Sequence, residues 1–200
     1  MLCPVINTSL LLYVSKDCSI EAQGFGMNDD QVPKQGFLKL NGDVVWQASF
    51  LGNYSVYRGA NMFVVDTSIC TLVDLRHFDT FGEVDAAVRL RDYIEGLSLG
   101  TVLVSVSCDA ASGQLDAAEA TLTGLGADVS DVENRGAWAF VAVKGDPSKT
   151  VLDKELTPAL ALERDPIVTV TFEAGKAAQM NSYLSNKQDR YCNSICTDCE

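Results

Sequence analysis

Seven cysteines and one histidine set the chemistry open to this chain: Cys3, Cys18, Cys70, Cys108, Cys192, Cys196 and Cys199, with His77. That many thiols beside a single imidazole suit extracellular cross-linking better than a metal or nucleophilic system. All seven are disulfide candidates, and their connectivity stays open. Three internal bridges leave one thiol over, which in an oxidising compartment pairs with another chain, so a disulfide-linked homodimer is expected. The Cys192-x3-Cys196-x2-Cys199 spacing also occurs where three thiolates hold an iron–sulfur cluster. No barrel-forming repeat of strands and helices accompanies it here, and zinc would need a fourth ligand from afar.

His77 would have to serve any Ser-His or Cys-His system, yet no Gly-x-Ser-x-Gly elbow is present, and it reads as a strand residue beside Phe78. Asp29-Asp30 lacks the spaced oxygen ligands of a calcium loop. Nothing in the spacing pairs Asp29, Asp30, Asp109 and Glu133 as glycosidase acids. The sequence therefore predicts a binding protein rather than an enzyme, with no metal and no cofactor.

Lys and Arg number 15 against 27 Asp and Glu, a net charge of −12, which repels phosphate backbones and anionic lipid surfaces. Nucleic acid is excluded as a natural partner. No stretch approaches the roughly 20 apolar residues of a bilayer span, which excludes membrane insertion by a helix. Residues 1–14 lack a basic leading segment and contain Cys3, Pro4 and Asn7, reading as a processed N-terminus of a secreted protein rather than a signal peptide. The sequons at Asn7 and Asn53 are compatible with secretion.

Whatever site exists must be positioned by the following elements. Short strands are expected over 10–14 and 19–23, then a hairpin in which residues 37–40 turn at Asn41-Gly42, the pair suited to two positive φ angles, and return over 44–50. A second strand pair spans 61–66 and 71–78. Thr80-Phe81-Gly82-Glu83 has capping-box spacing before a helix whose face carries Val84, Ala87, Val88, Arg91 and Ile94, closed by Gly96 and Gly100. Residues 101–107 form an apolar strand at a sheet centre, and Ser112 opens a second helix with Leu115, Ala118, Leu122 and Leu125 on one face. A buried strand over 137–144 and one more over 167–172 follow. Hairpins first, then helix and strand alternating, predict an α+β (mixed α/β) fold of two sheets and two main helices.

In order, Arg58-Gly59-Ala60-Asn61-Met62-Phe63-Val64-Val65-Asp66, Phe78-Asp79-Thr80, Gly100-Thr101-Val102-Leu103-Val104 and Trp138-Ala139-Phe140-Val141-Ala142-Val143-Lys144-Gly145 resemble the interleukin-like EMT inducer (ILEI, or PANDER-like) domain. Cys108-Asp109-Ala110-Ala111-Ser112 and Leu122-Thr123-Gly124-Leu125-Gly126 resemble its strand-to-helix turn and the close of its second helix. The resemblance covers residues 19–146, between an N-terminal extension over 1–18 and a C-terminal extension over 147–200 with one strand and a cysteine-rich tail. It implies a compact fold of two sheets with helices, of the kind found in secreted cytokine-like proteins and in the sugar-binding stem domain of the O-mannose N-acetylglucosaminyltransferase. In that similarity Asp109 and Arg135 match sugar-contacting positions. The family's Arg-Asp-x-Trp turn reads Arg135-Gly136-Ala137-Trp138 here, one carboxylate short.

A sugar site needs a carboxylate to accept hydroxyl protons, a guanidinium to donate back and an aromatic face for the C–H side of the ring. Asp109, Arg135 and Trp138 are the candidates. The function expected is that of a secreted lectin, a disulfide-linked dimer with one weak site per subunit gaining avidity for glycans or glycoproteins. The alternative is a cytokine-like ligand for a protein receptor.

Overall fold

The computed structural model describes residues 17–26, 34–49, 57–133, 135–155, 165–174 and 180–183. Two sheets and a helical layer stack over them. One sheet has the order β11(Met180–Tyr183), β10(Ile167–Phe172), β1(Cys18–Gln23), β3(Gln35–Leu40), β4(Asp43–Ser49). The other runs β6(Thr71–Phe78), β5(Gly59–Asp66), β7(Val102–Asp109), β8(Ala137–Val143), β9(Asp146–Glu155), with β2(Phe25–Gly26) pairing β7. Helices α1(Ala86–Gly96) and α2(Asp116–Gly124) lie on the outer face of this second sheet.

Period-two alternation explains the first sheet. Cys18, Ile20 and Ala22 of β1, Leu38 and Leu40 of β3, and Val168, Val170 and Phe172 of β10 point inward against Phe63, Val104, Val106 and Val141. Every residue of β8 is buried, and all of β7 but Asp109, because the inter-sheet core covers one face and the helices cover the other. The predicted apolar strand at the sheet centre is therefore β7. Asn41 and Gly42 make the expected hairpin turn, at φ 52° and 88°.

The helix starts differ from expectation. Thr80 does not cap α1: its Oγ1 donates to Ala111 O at 2.6 Å, while Asp79 takes the turn's N–H groups, Gly82 N at Oδ1 (2.8 Å) and Glu83 N at its carbonyl O (2.9 Å). The helix begins only at Ala86, so its buried face is Ala86, Ala87, Leu90 and Ile94, and Val84 and Val88 face solvent. Ser112 likewise caps no helix; its Oγ donates to Glu133 O at 2.8 Å and α2 begins at Asp116.

Beyond residue 146 the sequence reading found one strand, β10, and missed β9 and β11. β9 is an edge strand whose polar residues meet water, leaving a weak apolar signal. β10 sits between β1 and β11, so both sheets draw strands from either side of the 146/147 boundary.

Cys18 and Cys70 form a disulfide, Cα–Cα 5.1 Å, tying the start of β1 in one sheet to the β5–β6 turn of the other. Cys108, one of the seven disulfide candidates, is instead a buried free thiol. Cys3, Cys192, Cys196, Cys199, the strand over 10–14, Asp29-Asp30 and both sequons lie outside the described residues.

Candidate functional site

At one end of the helix-covered sheet the strand pairing changes hands. β8 accompanies β7 only as far as Val106, and β2 takes its place, parallel, opposite Cys108 and Asp109. On the far side Gly59 opens β5 opposite Cys108. Asp109 thus ends β7 in a left-handed conformation, φ 67°, with strand ends on both sides. Gly59, at φ 104°, permits the close approach: a Cβ there would sit 2.2 Å from Phe78 O.

Arg58 precedes that glycine and is held by Asp79 in a two-pronged ion pair, Nε–Oδ1 3.0 Å and Nη2–Oδ2 2.5 Å. Its guanidinium lies 5.1 Å from the centroid of the Phe81 ring. Burial pulls the Asp79 carboxyl up, but hydrogen bonds from Arg58 and the backbone N–H of Gly82, the Arg58 charge and the Phe81 N–H more than offset it, leaving Asp79 below the usual carboxylate range. The Asp79 hydrogen bond raises Arg58 further above its already basic value. Two of the blocks that carry the family resemblance, 58–66 and 78–80, therefore meet through this pair.

Arg135, also left-handed at φ 71°, stands just before β8. The Ser112–Glu133 hydrogen bond ties its loop to the turn after Asp109. The charges report on one another. Burial raises the Asp109 carboxyl above its ordinary value, Asp79 adds to the rise, and Arg58, Arg135 and Lys34 pull against it without cancelling it. Arg58, Arg135 and Lys34 thus all act on the Asp109 charge, and of these groups and Asp79 only Arg135 was selected from the sequence.

Trp138 does not join them. It is wholly buried on the helix side of the sheet, its indole Nε1–H donating to Ser105 Oγ at 3.1 Å and its backbone N–H to Ser107 Oγ at 2.7 Å. Alternation along β8 carries its ring into the core. Beside the charged cluster the aromatic residue is Phe81. Arg58-Gly59 was the available clue, since a glycine needing positive φ marks a backbone shaped for a purpose.

The cluster suits a hydroxyl-rich ligand: carboxylate oxygens accept O–H protons and guanidinium N–H groups donate to the same oxygens. Among the described residues no cluster of three or more His, Cys, Asp or Glu is placed to hold a metal ion. The Cys108 thiol is pushed well up by burial and then by Asp109 and Asp165, which keeps it protonated and a poor nucleophile.

Residues 58–146 match the family model described as interleukin-like EMT inducer. The chain is 30% identical over 172 residues to the cell migration-inducing and hyaluronan-binding protein of Mus musculus, and 28% identical over the same length to the Homo sapiens protein of that name. Each alignment covers 76% of this chain and 13% of the relative, so the chain spans a small part of those proteins. Residues 58–146 of this chain are an interleukin-like EMT inducer domain.

Proposed function

We propose that this chain is a secreted carbohydrate-binding protein, a lectin without catalytic activity, whose site is Asp109 with Arg58 and Arg135. The observation that carries the reading is the left-handed Asp109 at the end of β7, next to the Cys108–Gly59 pairing that brings up the Arg58–Asp79 ion pair and tied by the Ser112–Glu133 bond to the loop of Arg135. The relatives' name, which includes hyaluronan binding, supports a glycan as the ligand class. A few hydrogen bonds that compete with water for each sugar hydroxyl make each site weak. A disulfide-linked dimer supplies avidity, its bridge drawn from Cys3, Cys192, Cys196 or Cys199 because Cys108 is buried.

A glycan array that includes hyaluronan oligosaccharides, read with the parent chain, Asp109→Ala and Arg135→Ala, tests the site. Each substitution should weaken binding about 10–100-fold, the range for hydrogen bonds involving charged groups. Unchanged binding in both would remove the site.

Acidification gives a further expected outcome. Asp109, with its folded pKa raised, takes up its proton at a higher pH than an ordinary carboxylate, while Asp79, lowered, keeps the Arg58 pair intact. Binding measured by titration should therefore fall as pH drops, beginning above the ordinary carboxylate value of about 3.9. A carboxyl whose folded pKa is raised costs stability where it is ionised, so Asp109→Asn should flatten the upper part of this profile and leave the thermal midpoint at neutral pH equal or higher. Binding to the parent chain that is flat from neutral pH down to 4 would contradict the role given to Asp109.

The second reading, a secreted ligand for a protein receptor, rests on the family's description as interleukin-like. A blank array together with receptor capture that survives competing sugar would select it.

A further inference from the structure

Three consecutive backbone carbonyls around Arg58 face side-chain donors. Asn61 Nδ2 lies 2.9 Å from Tyr57 O and 3.4 Å from Gly59 O, with Val106 O of the neighbouring strand also at 3.4 Å. His77 Nε2 lies 2.7 Å from the carbonyl of Arg58 itself. A carbonyl only accepts, so Nε2 carries the proton, and the bond forms in both the Nε2–H neutral tautomer and the charged imidazolium. His77 and Asn61 face each other across the β5–β6 pair, and the Tyr57 ring packs edge-on against His77 with centroids 6.0 Å apart. Turn carbonyls at a strand end normally point to water and let the turn flex. Here both protein donors are fixed in strands.

We infer that His77 and Asn61 are positioning residues that clamp the 57–59 backbone and thereby aim the Arg58 guanidinium at the cluster formed with Asp79 and Asp109. The clamp works through geometry. Asn61 is fully buried and spends its amide protons on the carbonyls either side of Arg58. His77 is exposed and holds the remaining one. With the backbone pinned, Arg58 loses little freedom when Asp79 binds two of its N–H groups, and the site is preorganised. His77, the chain's one histidine, thus has a role that needs no proton transfer.

The inference rests on the carbohydrate-site reading for its purpose, and its test is read without ligand. His77 is exposed, so His77→Leu keeps the fold, as an unchanged thermal midpoint would verify. In 15N-labelled protein the Arg58 Nε–H should exchange with water about fivefold faster in His77→Leu than in the parent, the worth of one ordinary hydrogen bond. His77→Gln, whose amide can donate to the same carbonyl, should restore slow exchange, whereas a purely packing role would not be rescued by it. Equal Arg58 exchange in His77→Leu and the parent overturns the inference. The two readings fail separately: if Arg58→Ala leaves glycan binding intact the sugar site falls, while the exchange result decides the clamp.

Discussion

Replacing Trp138 by alanine is expected to remove a large part of the chain's stability. The side chain has no exposed surface, packs in the helix-side core with Phe140, Leu103 and Met62, and places its indole N–H on Ser105 Oγ. Emptying such a site costs about 3–5 kcal/mol, against about 5–15 kcal/mol for the whole stability of a domain. Urea unfolding followed by circular dichroism measures the loss. Trp138→Phe refills much of the volume but leaves Ser105 Oγ without its donor, so it should cost about 1–2 kcal/mol and leave glycan binding as in the parent. Were the indole a sugar platform, the order would reverse, with Trp138→Phe losing affinity before stability.

Removing the disulfide as Cys18→Ser with Cys70→Ser is expected to lower stability by about 4 kcal/mol, because the bridge closes a loop with a sequence separation of 52 residues in the unfolded chain. For a chain of this size that corresponds to a fall of roughly 10 °C in thermal midpoint. Cys18 is fully buried at the start of β1, and the loss should open the sheets at that end. Calorimetry of oxidised parent and double variant reads the difference. A shift below about 2 °C would show that the bridge adds nothing the two cores do not already hold.

The hairpin, β7 and β8 were legible because each rests on a local rule: Asn41-Gly42 accepts positive φ, and a strand covered on both faces must be apolar throughout. What escaped depends on tertiary placement. Thr80 has the spacing of a cap, but its hydroxyl is claimed by Ala111 O, and the neighbouring Asp79 gathers the turn's N–H groups as well as Arg58. β9 is polar because it is an edge, and its place in the sheet is set by pairing with β8 across a bulge rather than by its own composition. At the site, Asp109 and Arg135 were proposed from the resemblance, whereas Arg58 and Asp79, although inside blocks that carry it, were given no role. Their partnership links positions 21 apart and exists only once β5 and β6 are side by side. Trp138 was misassigned for the same reason. An aromatic at a strand start satisfies a sugar site and a core equally in sequence, and only the direction of alternation along β8 separates them. The odd cysteine count also changes meaning in three dimensions. One thiol of the seven, Cys108, is closed inside the inter-sheet core, so a bridge to a partner chain has to come from the four cysteines outside the described residues.

The central claim is that a saccharide binds at the end of β7. Its most direct measurement is a two-dimensional NMR titration of the labelled chain with an oligosaccharide that scores on the array. Progressive shifts are predicted in the backbone amides of Asp109 and Arg135 and in the Arg58 Nε–H, with the amides around the Asn41-Gly42 hairpin, at the far end of the opposite sheet, unmoved. Shifts confined to that opposite sheet, with Arg58 and Asp109 silent at saturating sugar, would contradict it.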